Sequence, residues 1–387
     1  MSGDGGSKNN SVFEDSIGAF LAPVLAYLND DSVSEVMING PDEIFIERRG
    51  LIEKTTATFR DEQSLIAAVR NIAQFVGRRI DEDNPILDAR LPDGSRISAV
   101  LPPCSRKGTT LSIRKFSKGN PTFVDMINYG SITKEAARFL DVCMFLAKNT
   151  IISGGTGSGK TTFLNVLGSR IPAGQRVLVI EDSSELKIKS DHVVFFETKH
   201  GDEDGKGAVT IRDLIRASLR LRPDRIVVGE VRGAEALDLI SAMNTGHGGS
   251  MGTAHANNPY DALVRLETLA MMGDSNVPPS AIRRQIASAI HIVTQIKRMS
   301  DGSRKVTHIS EVIPEVDDHG RYQIRDIYQF IQRGRTQEGK IVGELIATGY
   351  IPSFMNEIET NRLPFTRDRF APPEWYKQLK TVQKDVA

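Results

Sequence analysis

The sequence predicts an α/β protein: a doubly wound, mainly parallel sheet in the later half, preceded by a smaller α+β domain. Three observations carry this. Helix-like and strand-like runs alternate through residues 132–330, the order that sets parallel strands beside crossover helices. Residues 151–164, IISGGTGSGKTTFL, pass from an apolar strand through a glycine-rich loop into an amphipathic helix. Each candidate strand of this region also runs into polar or loop-forming residues at its C-terminal end, the edge where ligands sit in such sheets.

The elements follow in chain order. The opening MSGDGGSKNN has no basic-then-apolar signal pattern, and residues 1–12 read as a disordered lead-in. Residues 13–116 form the α+β domain. It has a short amphipathic helix at Phe20–Leu28, strands at Val36–Asn39, Ile44–Glu47, Ile97–Leu101 and Thr110–Phe116, and a helix at Asp61–Arg78. Turns such as NGPDE and LPDGS separate them. Residues 117–131, with their glycines and proline, read as a linker.

In the second domain, residues 132–330, strands are expected at Thr150–Ile152, Val177–Ile180, Ile226–Val228 and Met251–Ala254. Ile211, Leu214, Ile215 and Leu219 have helical spacing, as do Ile282, Ile286, Ala289 and Val293. Phe139–Leu146 is the longest apolar stretch; it is short and contains Asp141, so it reads as a core helix, not a membrane span. Residues 331–387 carry scattered glycines and prolines and the sole tryptophan, Trp375, which predicts a small appendage with little core.

Composition narrows the function classes. The 387 residues suit two or three domains. Forty-nine basic residues balance forty-nine acidic ones, so no global basic field marks a dedicated nucleic-acid binder. Cys104 and Cys143 are too few and too far apart for a tetracysteine zinc site or a disulfide framework, which fits a reducing cytoplasm. No stretch approaches a transmembrane helix, so any membrane role has to come through partners.

The chemistry concentrates in the second domain. GGTGSGKT is a P-loop in the strand–loop–helix context that gives the pattern meaning. Its backbone N–H groups, at Gly155, Thr156, Gly157, Ser158 and Gly159, point inward around phosphates, with the helix N-terminus behind them. Lys160 would reach the β- and γ-phosphates, the Thr161 hydroxyl would hold Mg²⁺, and Thr162 continues the cradle. Asp224–Glu230, DRIVVGE, is an apolar strand followed by a carboxylate, suited to the metal's water shell or the attacking water. Glu181, Asp182 and Glu185 follow another strand and offer a general base.

GHGGSMGTAHANNP places His247 and His255 near a strand end. Their spacing disfavours metal ligation, and a histidine beside the γ-phosphate can sense ATP against ADP. Arg212, Arg216 and Arg220 recur on one helical face, with Arg222 just beyond. Such a stripe is either a solvated or partner-facing surface or a source of arginine fingers. Arg96 and Arg114 sit on or beside strands of the first domain. No [NT]KxD box and no kinase HRD or DFG set occurs, which disfavours a GTPase or a protein kinase.

Taken together, GGTGSGKT, EDSSEL, DRIVVGEVRG and GTAHANNP, in that order, resemble the ATPases of type II and type IV secretion and pilus assembly. SVSEVMINGPDEIFIERRG, LDARLPDGSRISAVLPP and LSIRKF bring the chain nearest to the tight-adherence (Tad) branch. The tetracysteine element common in type II secretion and type IV pilus ATPases is missing, which points the same way.

The resemblance implies a RecA-like P-loop domain, ATP and Mg²⁺ as ligands, and a cytoplasmic homo-hexamer docked on an inner-membrane platform protein. It implies Lys160 and Thr161 on phosphate and metal, Glu185 as general base, Glu230 at metal and water, and His255 as sensor. Arg96 and Arg114 would close over the phosphates, and Arg220 or Arg222 would add charge, from this chain or a neighbour. The other reading is a RecA-like nucleic-acid motor, against which the balanced charge and the lack of a basic–aromatic stretch both count.

Overall fold

The computed structural model describes residues 18–116, 119–199, 201, 206–273 and 276–376; the predicted lead-in lies outside them. The chain divides into two compact units, Met1–Gly119 and Asn120–Ala387.

The first unit is a six-stranded antiparallel sheet with one long helix on its apolar face. Its strands are β1 (Val33–Asn39), β2 (Ile44–Arg48), β3 (Leu51–Lys54), β4 (Ile86–Arg90), β5 (Arg96–Val100) and β6 (Thr110–Arg114), in the order β3-β2-β1-β6-β5-β4. Alternation puts Val36, Ile38, Ile44, Ile46, Ile97, Leu111 and Ile113 on the buried face. Leu65, Val69 and Ile72 of the helix Glu62–Phe75 complete that core. Asp61 starts the helix: its carboxylate accepts from the Ser64 N–H at 2.8 Å, and the Ser64 hydroxyl accepts from the Asp61 N–H at 3.0 Å. This reciprocal cap satisfies two of the helix's open donors. The short helix expected at Phe20–Leu28 is interrupted: residues 18–20 and Leu25–Leu28 are helical, on either side of a 3₁₀ turn at Ala22–Val24 that holds Pro23, since proline withholds the N–H a continuous helix needs.

The second unit is built on a nine-stranded sheet: β7 (Thr150–Gly154), β8 (Val177–Glu181), β9 (Val193–Glu197), β10 (Arg225–Val228), β11 (Met251–Ala254), β12 (Ile292–Arg298), β13 (Arg304–Val316), β14 (Tyr322–Arg335) and β15 (Ile341–Ala347). The order is β15-β14-β13-β12-β7-β11-β10-β8-β9. From β12 to β9 every pairing is parallel; β12 to β15 form an antiparallel meander. The predicted doubly wound sheet is thus extended by a wing that alternation in residues 304–347 encodes.

Successive residues of the central strands face opposite cores. Ile152 and Val179 join one, with the helices Lys134–Phe145 and Lys160–Gly168. Ile151 and Ile180 join the other, with Ile211–Ser218, Glu235–Asn244, Pro259–Met271 and Pro279–Ala289. The expected core helix at Phe139–Leu146 falls on Lys134–Phe145, with Leu146 as its C-cap; Phe139, Leu140, Val142, Cys143 and Met144 are buried. Val293, grouped above with a helix, lies on β12 instead, because the helix Pro279–Ala289 ends before it.

Two of the expected boundaries move. Residues 120–131 belong to the second unit and hold the helix Phe123–Asn128, capped by Thr122 and Asp125. Position 330 is no break, since β14 runs through it. The tail beyond it also enters the core: Phe354, Phe365 and Phe370 surround Phe139 with ring centroids 5.6–6.1 Å away. Each such ring contributes roughly 1.5–3 kcal/mol of burial. Glycine and proline content hid these spaced aromatics. Among the described residues no helix is long and apolar enough to cross a membrane.

Candidate nucleotide site

The site lies at the C-terminal edge of the parallel strands, where β7, β8, β10 and β11 deliver Lys160, the Glu181–Glu185 loop, Glu230 and His255. After β7 the chain turns through Gly157 (φ +68°) and Gly159 (φ +94°), left-handed positions that suit glycine, and enters the helix at Lys160. Gly154 is packed so tightly that a side chain would meet the Ile296 carbonyl at 2.4 Å. At Gly155 nothing would be met within 4 Å. Ser158 is buried and its hydroxyl donates to the Gly155 carbonyl at 2.8 Å, holding the loop closed. Thr156, Thr161 and Thr162 border this loop, Thr161 and Thr162 on the first helical turn.

Lys160 is 7 % exposed; its ammonium donates to the Gly155 carbonyl at 3.1 Å and lies 3.4 Å from both ring nitrogens of His255. His255 Nε2 stands 2.6 Å from Glu230 Oε1. Burial first, and then the Lys160 ammonium, hold the imidazole below its ordinary pKa against the pull of Glu230. Burial pushes the Glu230 carboxyl up, but the Arg232 hydrogen bond and the charges of Arg232, His255 and Lys160 hold it below the usual range. Arg232 Nη2 donates to Glu230 Oε2 at 2.6 Å.

Glu181 does a different job from Glu185. It is 4 % exposed and accepts from the backbone N–H groups of Glu185 and Leu186, each at 3.0 Å. Burial pushes its carboxyl up to about 7. Glu181 thus builds the loop from inside, while Glu185 is half-buried on it.

Not every predicted residue arrives. His247 and His255 occupy opposite ends of β11, and His247 lies against the Ala242 carbonyl, at 3.3 Å. Arg212 and Arg216 both donate to Asp238, at 2.7 and 2.8 Å, so this part of the stripe fastens two helices together. Arg220 and Arg222 follow that helix and precede β10, at the edge opposite the P-loop. A four-residue strand spans roughly 13 Å, which removes them from this chain's own phosphate cradle. In the first unit Arg96 and Arg114 are register partners on β5 and β6.

Two arginines were missed. Arg304 Nε donates to the Gly157 carbonyl at 2.9 Å, and the Arg298 guanidinium borders Gly157. They flank the β12–β13 turn, and only the pairing of β12 with β7 brings them to the P-loop; no motif announces that.

An oxygen-donor set of one hydroxyl and one carboxylate, Thr161 and Glu230, fits Mg²⁺, which takes few protein ligands and completes its shell from phosphate and water. No cluster of three or more His, Cys, Asp or Glu suited to a metal occurs among the described residues.

The family model described as "Type II/IV secretion system protein" matches residues 19–339. A putative conjugal transfer protein of Mycobacterium tuberculosis is 32 % identical over 325 residues, 82 % of this chain and 91 % of that protein. The type IV secretion system protein VirB11 of Brucella suis is 33 % identical over 325 residues, 77 % of this chain and 90 % of that protein. Among solved structures, the Yersinia pseudotuberculosis ATPase DotB shares the fold: TM-score 0.51 and 17 % identity, over 79 % of this chain and 80 % of that one. On these matches, the chain belongs to the Type II/IV secretion system protein family.

Proposed function

We propose that this chain hydrolyses MgATP to drive domain motion in a Tad-type pilus assembly machine or a related secretion system. It works as a homo-hexamer on the cytoplasmic side of an inner-membrane platform protein. One observation carries the chemical half of this reading: Lys160, Glu230 and His255 meet at one strand edge, within 3.4 Å of one another pairwise through His255. The mechanical half rests on the family and on the Tad-like motifs of the first region, SVSEVMINGPDEIFIERRG among them.

In the proposed reaction the P-loop N–H groups hold the triphosphate, and the Lys160 ammonium exchanges the Gly155 carbonyl for phosphate oxygens. Glu185 accepts the proton of the attacking water, and Glu230 orients that water. Bound through Thr161 and Glu230, Mg²⁺ would neutralise charge on the phosphate oxygens. His255 reports loss of the γ-phosphate by losing a hydrogen bond to it. Arg96 and Arg114 contribute charge from the first unit, and Arg220 and Arg222 serve a neighbouring subunit.

The first test is turnover. The wild-type chain hydrolyses ATP, and Lys160→Ala lowers kcat by at least ~100-fold, because the phosphates lose their buried cation. Turnover that survives in Lys160→Ala defeats the reading. Strong, salt-sensitive stimulation by DNA would instead favour the nucleic-acid motor.

A further inference from the structure

We propose that Arg232 is a positioning residue for the reaction: it clamps the Glu230 carboxylate and ties it to the acidic loop at Asp182. This rests on the reading of Glu230 given above.

The geometry has three parts. Arg232 Nη2 donates to Glu230 Oε2 at 2.6 Å, while Nη1 lies 3.7 Å from Asp182 Oδ2. One guanidinium therefore spans two loops, the one after β10 and the one after β8. Glu230's other oxygen faces His255 Nε2 at 2.6 Å. Arg232 thus directs one carboxylate oxygen from the carboxylate's own loop, while His255, after the neighbouring strand, lies against the other. The backbone that carries Arg232 is itself fastened: Glu235, nearly buried at the start of its helix, accepts from the N–H groups of Arg232 and Gly233 at 2.7 and 2.9 Å.

A planar fork matches this task. Two N–H groups of one guanidinium can serve two carboxylates in fixed directions, which a lysine ammonium does as a point charge only. The groups that face Glu230 are Arg232, His255 and Lys160, with Glu181 beneath Gly229 and with Asp182 and Glu185 beyond the arginine. Among these, Arg232 is the one that reaches from the Glu230 loop to the Asp182 loop. A conformational change that separates the loops after β8 and β10 therefore also disturbs the carboxylate at the reacting water. The Arg232 side chain is 57 % exposed, so water can replace it without a buried group being orphaned.

The competing role is direct: Arg232 itself on the phosphates. A double-mutant cycle separates the two. kcat and KM for MgATP, and Kd for a fluorescent ADP analogue, are measured for the wild type, Arg232→Ala, Arg232→Lys, Glu230→Gln and the double variant Glu230→Gln/Arg232→Ala. If Arg232 acts through Glu230, Arg232→Ala lowers kcat by ~10–100-fold while KM and Kd stay within ~3-fold. Arg232→Lys recovers part of the loss. In the Glu230→Gln background, removing Arg232 costs less than ~2-fold more, because residues that act as a unit are not additive.

Additive losses, or an ADP affinity that falls with Arg232→Ala, overturn the proposal in favour of phosphate contact. Equal loss in the lysine and alanine variants also overturns it unless the lysine variant alone is unfolded by circular dichroism; the alanine cycle then decides. A wild-type chain without turnover sinks the reading of Glu230 and this proposal with it. Loss in Lys160→Ala alongside an additive cycle sinks this proposal alone.

Discussion

The two edges of the parallel sheet carry similar residues and put them to opposite uses. At the C-terminal edge Lys160, Glu230, Arg232 and His255 contact one another through side chains, and His255 and Arg232 keep 42 % and 57 % of their side chains exposed. At the N-terminal edge one group of polar side chains is sealed, although Arg220 and Arg222 nearby are exposed. Arg225 is 1 % exposed and donates to the Met144 carbonyl at 2.6 Å, the Gly249 carbonyl at 3.3 Å and Gln175 Oε1 at 2.7 Å. Asn149 donates to the carbonyls of Ala289 and Met243 and accepts from the Ser250 N–H. His291, pushed down to about 4 by burial, accepts from the Asn149 N–H at 3.1 Å. Partners of the sealed kind are mostly backbone atoms that cannot leave; partners of the open kind are mostly side chains that can be exchanged for a ligand. Exchangeability marks the working edge better than residue type does.

The sharpest way to break this comparison is a crossed pair of substitutions. Glu230→Gln should keep the fold and nucleotide affinity and lower kcat by ~10²–10⁴-fold, since it alters a group at the reacting water. Arg225→Ala should do the reverse. It strips donors from two buried carbonyls and a glutamine oxygen, at a cost of about 3 kcal/mol in unfolding free energy. The surviving folded fraction should still turn over normally. Chemical denaturation and active-site-normalised kcat check both arms. A stable but inactive Arg225→Ala would show that the sealed edge takes part in the chemistry.

A smaller effect tests the middle of the scheme, where Glu181 is sealed yet sits under the working loop. Its carboxyl is raised to about 7 in the folded chain, against about 4.3 in an unfolded one. A raised folded pKa means that the native state holds the extra proton between those values. The stability linked to it is complete below the unfolded pKa and is lost as pH rises through the folded one. From pH 5 to pH 8 the wild type should therefore lose ~1–3 kcal/mol relative to Glu181→Gln, whose amide oxygen still accepts from Glu185 and Leu186. Parallel stability curves for the two proteins would show that Glu181 is charged throughout.

What was legible in the sequence divides along the same line. The motifs on the open edge, GGTGSGKT, DRIVVGE and GTAHANNP, put Lys160, Glu230 and His255 just past strand ends, where they lie in the fold, because contiguous residues leaving a strand must land at its end. Short apolar runs also mark the core helix at Phe139–Leu146 and strands such as Met251–Ala254. Helical spacing did group Arg212 and Arg216, but it could not say that Asp238, on another helix, takes both. Nor could it reveal that Arg220 and His247 come to the far edge, since that depends on where their elements sit against the sheet's direction. Arg298 and Arg304 were invisible for the complementary reason: their nearness to Gly157 is made by strand pairing across more than a hundred residues. Glycine and proline content conceals the tail's part in the core: Phe354, Phe365 and Phe370 are few, yet all three reach Phe139.

The finest test of the two edges uses one residue type on one strand. His255 and His247 lie at either end of β11, with the same ring chemistry and different company. His255 lies against Glu230 and Lys160, so His255→Ala removes the ring between them and lowers kcat by ~10-fold. His247 has a carbonyl of the preceding helix beside it; the ring's loss there leaves a group that water can satisfy, and His247→Ala changes kcat by less than ~2-fold. The size of the difference matters more than either value. A large loss at His247 in steady-state turnover of the isolated protein, with thermal stability unchanged, would mean that the N-terminal edge is read by the active site. Because the four residues of β11 are all buried, a disturbance at one end has only the packed strand to travel through, and packed strands shift as units. Equal losses at both ends would then assign β11 itself the part of a rod between the two edges. Unequal losses, with His255 dominant, keep the strand a scaffold and leave the exchange of ligands to the side chains at its end.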